Sequence, residues 1–197
     1  EVILENAAIG TTIGVTAFAD DADAGDTITY SLDDDDVGRF TIDSNTGIVT
    51  VAAPIDREAD GASRSITVRA TSTDASFQTR VFSIAIDDMD EFDVGAVNDI
   101  YAAVNAVDEN AATNTVLGVT ALASDADATN NTITYSLDDT AGGRFKIDSV
   151  SGVVTVDNGT LLDREAAASH NITVRADSSD GSFDTAVMTI NINDVDE

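Results

Sequence analysis

Residues 15–32 read VTAFADDADAGDTITYSL, and residues 119–137 read VTALASDADATNNTITYSL. A stretch this long does not recur by accident, and it fixes the organisation of the chain before any single residue is interpreted. Other segments return in the same order. GRFTIDSNTGIVTV (38–51) comes back as GRFKIDSVSGVVTV (143–156). ITVRA occurs at 66–70 and 172–176, and FSIAIDDMDE (82–91) becomes MTININDVDE (188–197). The offset stays between 104 and 107, so the insertions are single residues in turns. We read two homologous domains in tandem, residues 1–91 and 92–197, each near the commonest domain size of about 100 residues.

Within each unit the period is that of strands. TITYSL sets Ile28, Tyr30 and Leu32 on one face and Thr27, Thr29 and Ser31 on the other. SITVRATS alternates Ile66, Val68 and Ala70 against Thr67 and Arg69, and VFSIAID presents Phe82, Ile84 and Ile86. Each run is short, rich in Val, Ile, Thr and Phe, and bounded by Asp, Gly, Asn or Ser. No convincing amphipathic helix is found; DREADGAS and DREAAAS are each long enough for one helical turn. About seven short strands per hundred residues is the pattern of a β-sandwich, so the fold class is all-β.

The charge narrows the function. The chain carries 37 acidic and 9 basic residues, a net charge of −28. Such a surface repels a phosphate backbone, which argues against nucleic acid and anionic membranes as partners. It attracts cations. The acids are 30 Asp and only 7 Glu, and Asp prefers turns, caps and hard-cation loops over helix faces. The alternative is a merely solvated acidic surface, suited to high salt. There is no cysteine, which excludes disulfides and thiolate chemistry. No apolar run reaches the roughly 18 residues of a membrane-spanning helix, and no signal-peptide pattern opens the chain.

Four acidic signatures occupy matching places in the two units. They are EN (Glu5–Asn6 and Glu109–Asn110), DAD (Asp21, Asp23 and Asp125, Asp127), DRE (Asp56, Glu58 and Asp163, Glu165), and DxDE (Asp88, Asp90, Glu91 and Asp194, Asp196, Glu197). In extended backbone, residues i and i+2 point the same way about 6–7 Å apart, so such pairs can grip a hard cation. Calcium takes six to eight oxygens, more than one pair supplies, so several pairs must converge. Taken singly, each motif is as readily a solvated turn or an ion-pair motif; Arg57 and Arg164 are read as outward partners of nearby acids.

With these four motifs in this order, twice, the sequence resembles the cadherin family, in particular bacterial cadherin-like repeats of large secreted or surface adhesins. The resemblance covers nearly the whole chain. It implies two Greek-key sandwiches and a calcium cluster between consecutive domains. Glu5, Asp56 and Glu58 would come from domain 1, Asp88, Asp90 and Glu91 from the linker, and Asp125 and Asp127 from domain 2. Glu109, Asp163, Glu165, Asp194, Asp196 and Glu197 would then await a following domain, and Asp21 and Asp23 a preceding one, as in a piece of a longer array. The linker departs from the family pattern in DEFDVGAV, and the distance from Glu91 to Glu109 is slightly long. Where the family places a further Asp, this chain has Ser178, with Asp177 or Asp180 as substitutes. One to three ions per junction is the expectation.

The function so implied is a calcium-rigidified extender or adhesion module at the cell surface or secreted, with neighbouring repeats, a homophilic partner or cell-surface glycans as partners. The alternative is a calcium-dependent carbohydrate-binding module attached to a secreted enzyme or adhesin. Catalysis by paired carboxylates is set aside, because the acids recur in both units at the expected junctions and there is no Trp for sugar stacking.

Overall fold

The computed structural model describes residues 1–23 and 25–196. It divides into two units, Glu1–Met89 and Asp90–Glu197. The boundary falls inside the first DxDE motif, with Asp88 in the first unit and Asp90 in the second.

Among the described residues the first unit holds seven strands: β1 (Val2–Leu4), β2 (Thr12–Thr16), β3 (Ile28–Asp34), β4 (Phe40–Ile42), β5 (Ile48–Val51), β6 (Ser63–Ser72) and β7 (Phe77–Asp87). One sheet has the order β1-β7-β6-β3 and the other β2-β5-β4. The period-2 alternation explains the packing. Ile66 and Val68 of β6 and Ile84 and Ile86 of β7 face Ile13, Val15, Phe40, Val49 and Val51 across the sandwich. Tyr30 is buried as well, and its hydroxyl accepts the Ala19 amide at 3.2 Å.

The second unit repeats this plan with eight strands among the described residues: β8 (Asn98–Asp99), β9 (Ala106–Asp108), β10 (Val116–Leu122), β11 (Ile133–Asp139), β12 (Phe145–Ile147), β13 (Val153–Val156), β14 (Ser169–Ser178) and β15 (Phe183–Asn193). Its sheets are β11-β14-β15-β9 and β12-β13-β10-β8. The eighth strand arises because residues ahead of β9 pair with β10.

The turn between β4 and β5 shows why the repeated IDSxxG segment is so specific. The Asp43 carboxylate accepts the amides of Asn45 and Thr46 at 3.0 and 2.7 Å, and Asp148 accepts those of Val150 and Ser151 at 3.1 and 2.8 Å. Gly47 and Gly152 follow with φ of +69° and +68°. A Cβ on Gly152 would stand 2.3 Å from the Ala121 carbonyl oxygen, so only glycine fits.

The two DRE segments fold as short turns. Asp56 caps α1 (Arg57–Asp60), accepting the Ala59 amide at 2.9 Å. Asp163 accepts the Ala166 amide at 2.8 Å in the same manner. All four acids of the Asp33–Asp36 run are engaged: Asp33 holds Arg69 in a fork at 2.7 Å, Asp36 holds Arg64 at 2.7 Å, and Asp34 and Asp35 accept the Asp36 and Gly38 amides at 3.0 and 2.8 Å. His170 is half-buried, edge-on to Phe145 at 6.4 Å.

Candidate metal centre

The site is built on two glutamates that the fold removes from water. Glu5 follows β1 and is 0% exposed; Glu109 follows β9 and is 3% exposed. In each case the next residue, Asn6 or Asn110, has a positive φ near +50°, which asparagine tolerates. Its amide then bonds the Ile55 or Leu162 carbonyl. The sharp turn leaves the glutamate pointing back along the end of the sandwich. Glu5 accepts the Arg57 amide at 2.5 Å and the Met89 amide at 2.7 Å. Glu109 accepts the Arg164 and Val195 amides, each at 2.8 Å. Those hydrogen bonds, the Arg164 amide first, hold the Glu109 carboxyl below its ordinary value.

Around each glutamate further acids gather. Glu5, Glu58 and Asp88 bring carboxylate oxygens within 4.8 Å of one another, and so do Glu109, Asp163 and Glu165. Two oxygens on opposite sides of one calcium ion are about 5 Å apart, from bond lengths of about 2.3–2.6 Å. The all-oxygen donor set and the spacing both suit a hard cation. Arg57 complicates the first cluster. It is tucked in rather than outward: its guanidinium donates to the Ile86 carbonyl and lies 3.6 Å from Asp88.

The opposite end of the second unit carries another cluster. Asp90, Asp127 and Asp180 have oxygens within 4.8 Å of one another. Asp127 is 2% exposed and accepts the amides of Glu91 and Phe92 at 3.2 Å each. Asp125 accepts the Asp127 amide at 3.1 Å and the Ser178 hydroxyl, so it braces Asp127 instead of joining the triad. Asp90, although exposed, is raised from its ordinary value, first by local desolvation and then by the negative charge of Asp180. Asp180 is lowered by the Ser182 amide and hydroxyl. In the first unit the matching place groups Asp21, Asp26 and Asp74.

A model of the cadherin domain matches residues 2–88 and again 104–193. The chain belongs to the cadherin domain family. Curated relatives include Protocadherin Fat 1 of Homo sapiens, 32% identical over 217 residues, and Cadherin-20 of Gallus gallus, 32% identical over 215 residues. These alignments take in 99% and 98% of this chain but only 4% and 26% of the relatives, so the chain spans a small part of their length. Among solved structures, mouse Cadherin-23 EC22-24 superposes with a TM-score of 0.80 at 29% identity, over 99% of this chain and 63% of that one. Both units are thus all-β cadherin repeats. The relatives named here are vertebrate proteins, so the expected bacterial source draws no support from them.

Against that frame of two cadherin repeats, the expected ligand set is only partly assembled within each unit. Glu5, Glu58, Asp88, Asp90, Asp127, Glu109, Asp163, Glu165 and Asp21 enter clusters. Asp56 serves the helix cap, Asp125 braces Asp127, and Asp23 donates its amide to Asp21 at 3.0 Å. Glu91 contributes its amide to Asp127. Asp194 and Asp196 belong to no cluster among the described residues, and Glu197 lies outside those residues. Between the two substitutes for the missing family acid, Asp180 joins the triad, whereas Asp177 pairs with Arg175 at 2.7 Å. Asp26 and Asp74 were missed. The signal for Asp74 was present, since TDAS at 73–76 repeats as SDGS at 179–182.

Proposed function

We propose that the chain is a pair of calcium-binding cadherin repeats, serving as a calcium-stiffened extender or adhesion module at the cell surface or in a secreted protein. The observation that carries this reading is the burial of Glu5, Glu109 and Asp127 among other carboxylates, with oxygens spaced for one hard cation. Buried like charges are costly unless a cation compensates them.

The second support is covalent. Asp88 and Asp90 belong to different clusters and are separated only by Met89. Two residues of chain span at most about 7 Å. The reading therefore treats Glu5, Asp56, Glu58, Asp88, Asp90, Glu91, Asp125 and Asp127, joined by Asp180, as one shared interdomain set for one to three ions. Glu109, Asp163, Glu165, Asp194, Asp196 and Glu197 form a half-site for a following repeat. Asp21 and Asp23, with Asp26 and Asp74, form one for a preceding repeat.

Calcium would supply the positive charge that lets these carboxylates approach. The chain's own residues do the positioning: the Asn6 turn aims Glu5, the Met89 amide fastens it to the linker, and Asp125 orients Asp127. Calcium-dependent carbohydrate binding remains the alternative class, and no relative reported above carries a name that supports it.

The test is thermal unfolding with small-angle scattering, in calcium and in chelator. Extracellular calcium modules have dissociation constants of about 0.1–1 mM. Ten- to a hundredfold excess therefore stabilises by about 1.4–2.7 kcal/mol per independent site. Identical melting and identical maximum dimension in both conditions would refute the reading.

A further inference from the structure

Arg57 sits among the acids of the first cluster and brings a positive charge to them. Its backbone amide donates to Glu5 at 2.5 Å. Its guanidinium donates to the Ile86 carbonyl at the end of β7 and stands 3.6 Å from Asp88. Both side chains of that ion pair are largely buried. Arg57 Nε is buried without a hydrogen bond, at ion-pair rather than hydrogen-bond distance from Asp88. Charge, more than a directed bond, therefore draws this carboxylate toward the arginine.

The second repeat supplies a comparison within the same chain. Arg164 also gives its amide to the buried glutamate, Glu109, at 2.8 Å. Yet of the two DRE arginines, Arg57 is the one found in an ion pair among the described residues. The clusters differ to match. In the first repeat Asp88 joins Glu5 and Glu58. In the second, Asp194, the counterpart of Asp88, joins no cluster among the described residues, and Asp163 takes the third place beside Glu109 and Glu165.

We propose that Arg57 is a built-in counter-cation of the first cluster: it holds Asp88 beside Glu5 and Glu58 when no metal is bound, and calcium enters against its charge. This rests on the calcium reading above and adds what sets the affinity there. A guanidinium stays protonated at any physiological pH, so it cannot be neutralised to make way. Gathered carboxylates are costly without a cation, and Arg57 offsets part of that cost in the metal-free protein. A doubly charged ion within a few ångströms is repelled by the same group. Whatever stabilises the empty form more than the filled form weakens binding by that difference. Arg57 thus trades calcium affinity for order in the metal-free repeat.

The test is a calcium titration of the isotope-labelled full chain. The Met89 amide reports on the first cluster, because it donates to Glu5, and the Val195 amide is the control, because it donates to Glu109. Arg57→Gln keeps a donor for the Ile86 carbonyl and drops the charge; Arg57→Lys keeps the charge. The midpoint at Met89 should fall at least about fivefold in Arg57→Gln and stay within about twofold of the parent in Arg57→Lys, with Val195 unmoved in both. In chelator, Arg57→Gln should melt below the parent. Arg57→Met, which keeps the aliphatic stem, should tighten calcium binding in the same way. If Arg57 merely bonds Ile86, the uncharged variants melt lower and bind calcium equally or more weakly, and that result overturns the proposal. Equal tightening in Arg57→Lys overturns it too. A parent chain with no saturable shift at Met89 refutes the calcium reading itself; a parent that saturates, with no tightening in Arg57→Gln or Arg57→Met, refutes this inference alone.

Discussion

Glu5→Ala probes the centre of the candidate site and of the first repeat's stability at once. The side chain is fully buried and accepts two backbone amides, from Arg57 at 2.5 Å and Met89 at 2.7 Å. Hydrogen bonds to a charged partner are worth about 1.5–3 kcal/mol each. Truncation strands both donors but also removes a charge that Glu58 and Asp88 repel. Setting these terms against each other leaves a net loss of about 2–4 kcal/mol in chelator. The first unit runs from Glu1 to Met89. At about 2.1 cal/mol/K per residue its unfolding entropy is about 0.19 kcal/mol/K, so the loss equals a drop of about 10–20 °C in melting temperature. Scanning calorimetry in chelator reads this directly, and hydrogen exchange at Ile66 and Ile84 assigns the transition to the first repeat. In calcium the drop should be larger, since a ligand is lost as well. A change below about 2 °C in chelator would show that these amides are satisfied by water and that Glu5 does not organise this end of the sandwich.

Two further outcomes follow from local geometry. Burial lowers His170 from its ordinary value of 6.5, so the neutral form is the one the fold prefers. Its contribution is present above pH 6.5 and is lost as pH falls through the lowered folded value. The second repeat should therefore lose stability on acidification through the histidine range, and His170→Gln should flatten that part of a denaturation-versus-pH profile; an unchanged profile would refute the assignment. Gly152→Ala should destabilise the second repeat by more than about 2 kcal/mol in chemical denaturation, because its positive φ and the Ala121 carbonyl leave no space for a Cβ. A neutral result would mean that this turn is looser than its Asp148 hydrogen bonds indicate.

The fold was legible because it is written twice in period-2 runs. Tyr30, Val49, Ile66 and Ile84 are where alternation puts them, and comparing the copies separates turn insertions from strand residues. The site was less legible, for a physical reason. Extended i, i+2 geometry was assumed for DAD and DRE, but both segments turn sharply. Asp56 has extended dihedrals, φ −134° and ψ 117°, yet the next residue begins a helical turn, so its carboxylate caps α1 while Glu58 swings toward Glu5. Backbone amides compete with any cation for short Asp side chains, and at Asp56, Asp43 and Asp148 the amides hold the carboxylate. A motif count cannot see that competition.

Long-range hydrogen bonds distinguish the buried acids at the centres of the clusters. Glu5 and Glu109 satisfy amides from chain segments far away in sequence, Arg57 and Met89 for the one, Arg164 and Val195 for the other. A carboxylate that ties remote segments together is fixed in position by the fold, and so are the acids those segments carry. Asp127 obeys the same rule from the other end, gathering the Glu91 and Phe92 amides and with them the backbone that carries Asp90. The buried centres of these clusters, Glu5, Glu109 and Asp127, are thus the acids whose hydrogen bonds reach across the sequence. Asp180 joins them because its turn is held beside Asp125 and Asp127 by the Ser178 hydroxyl.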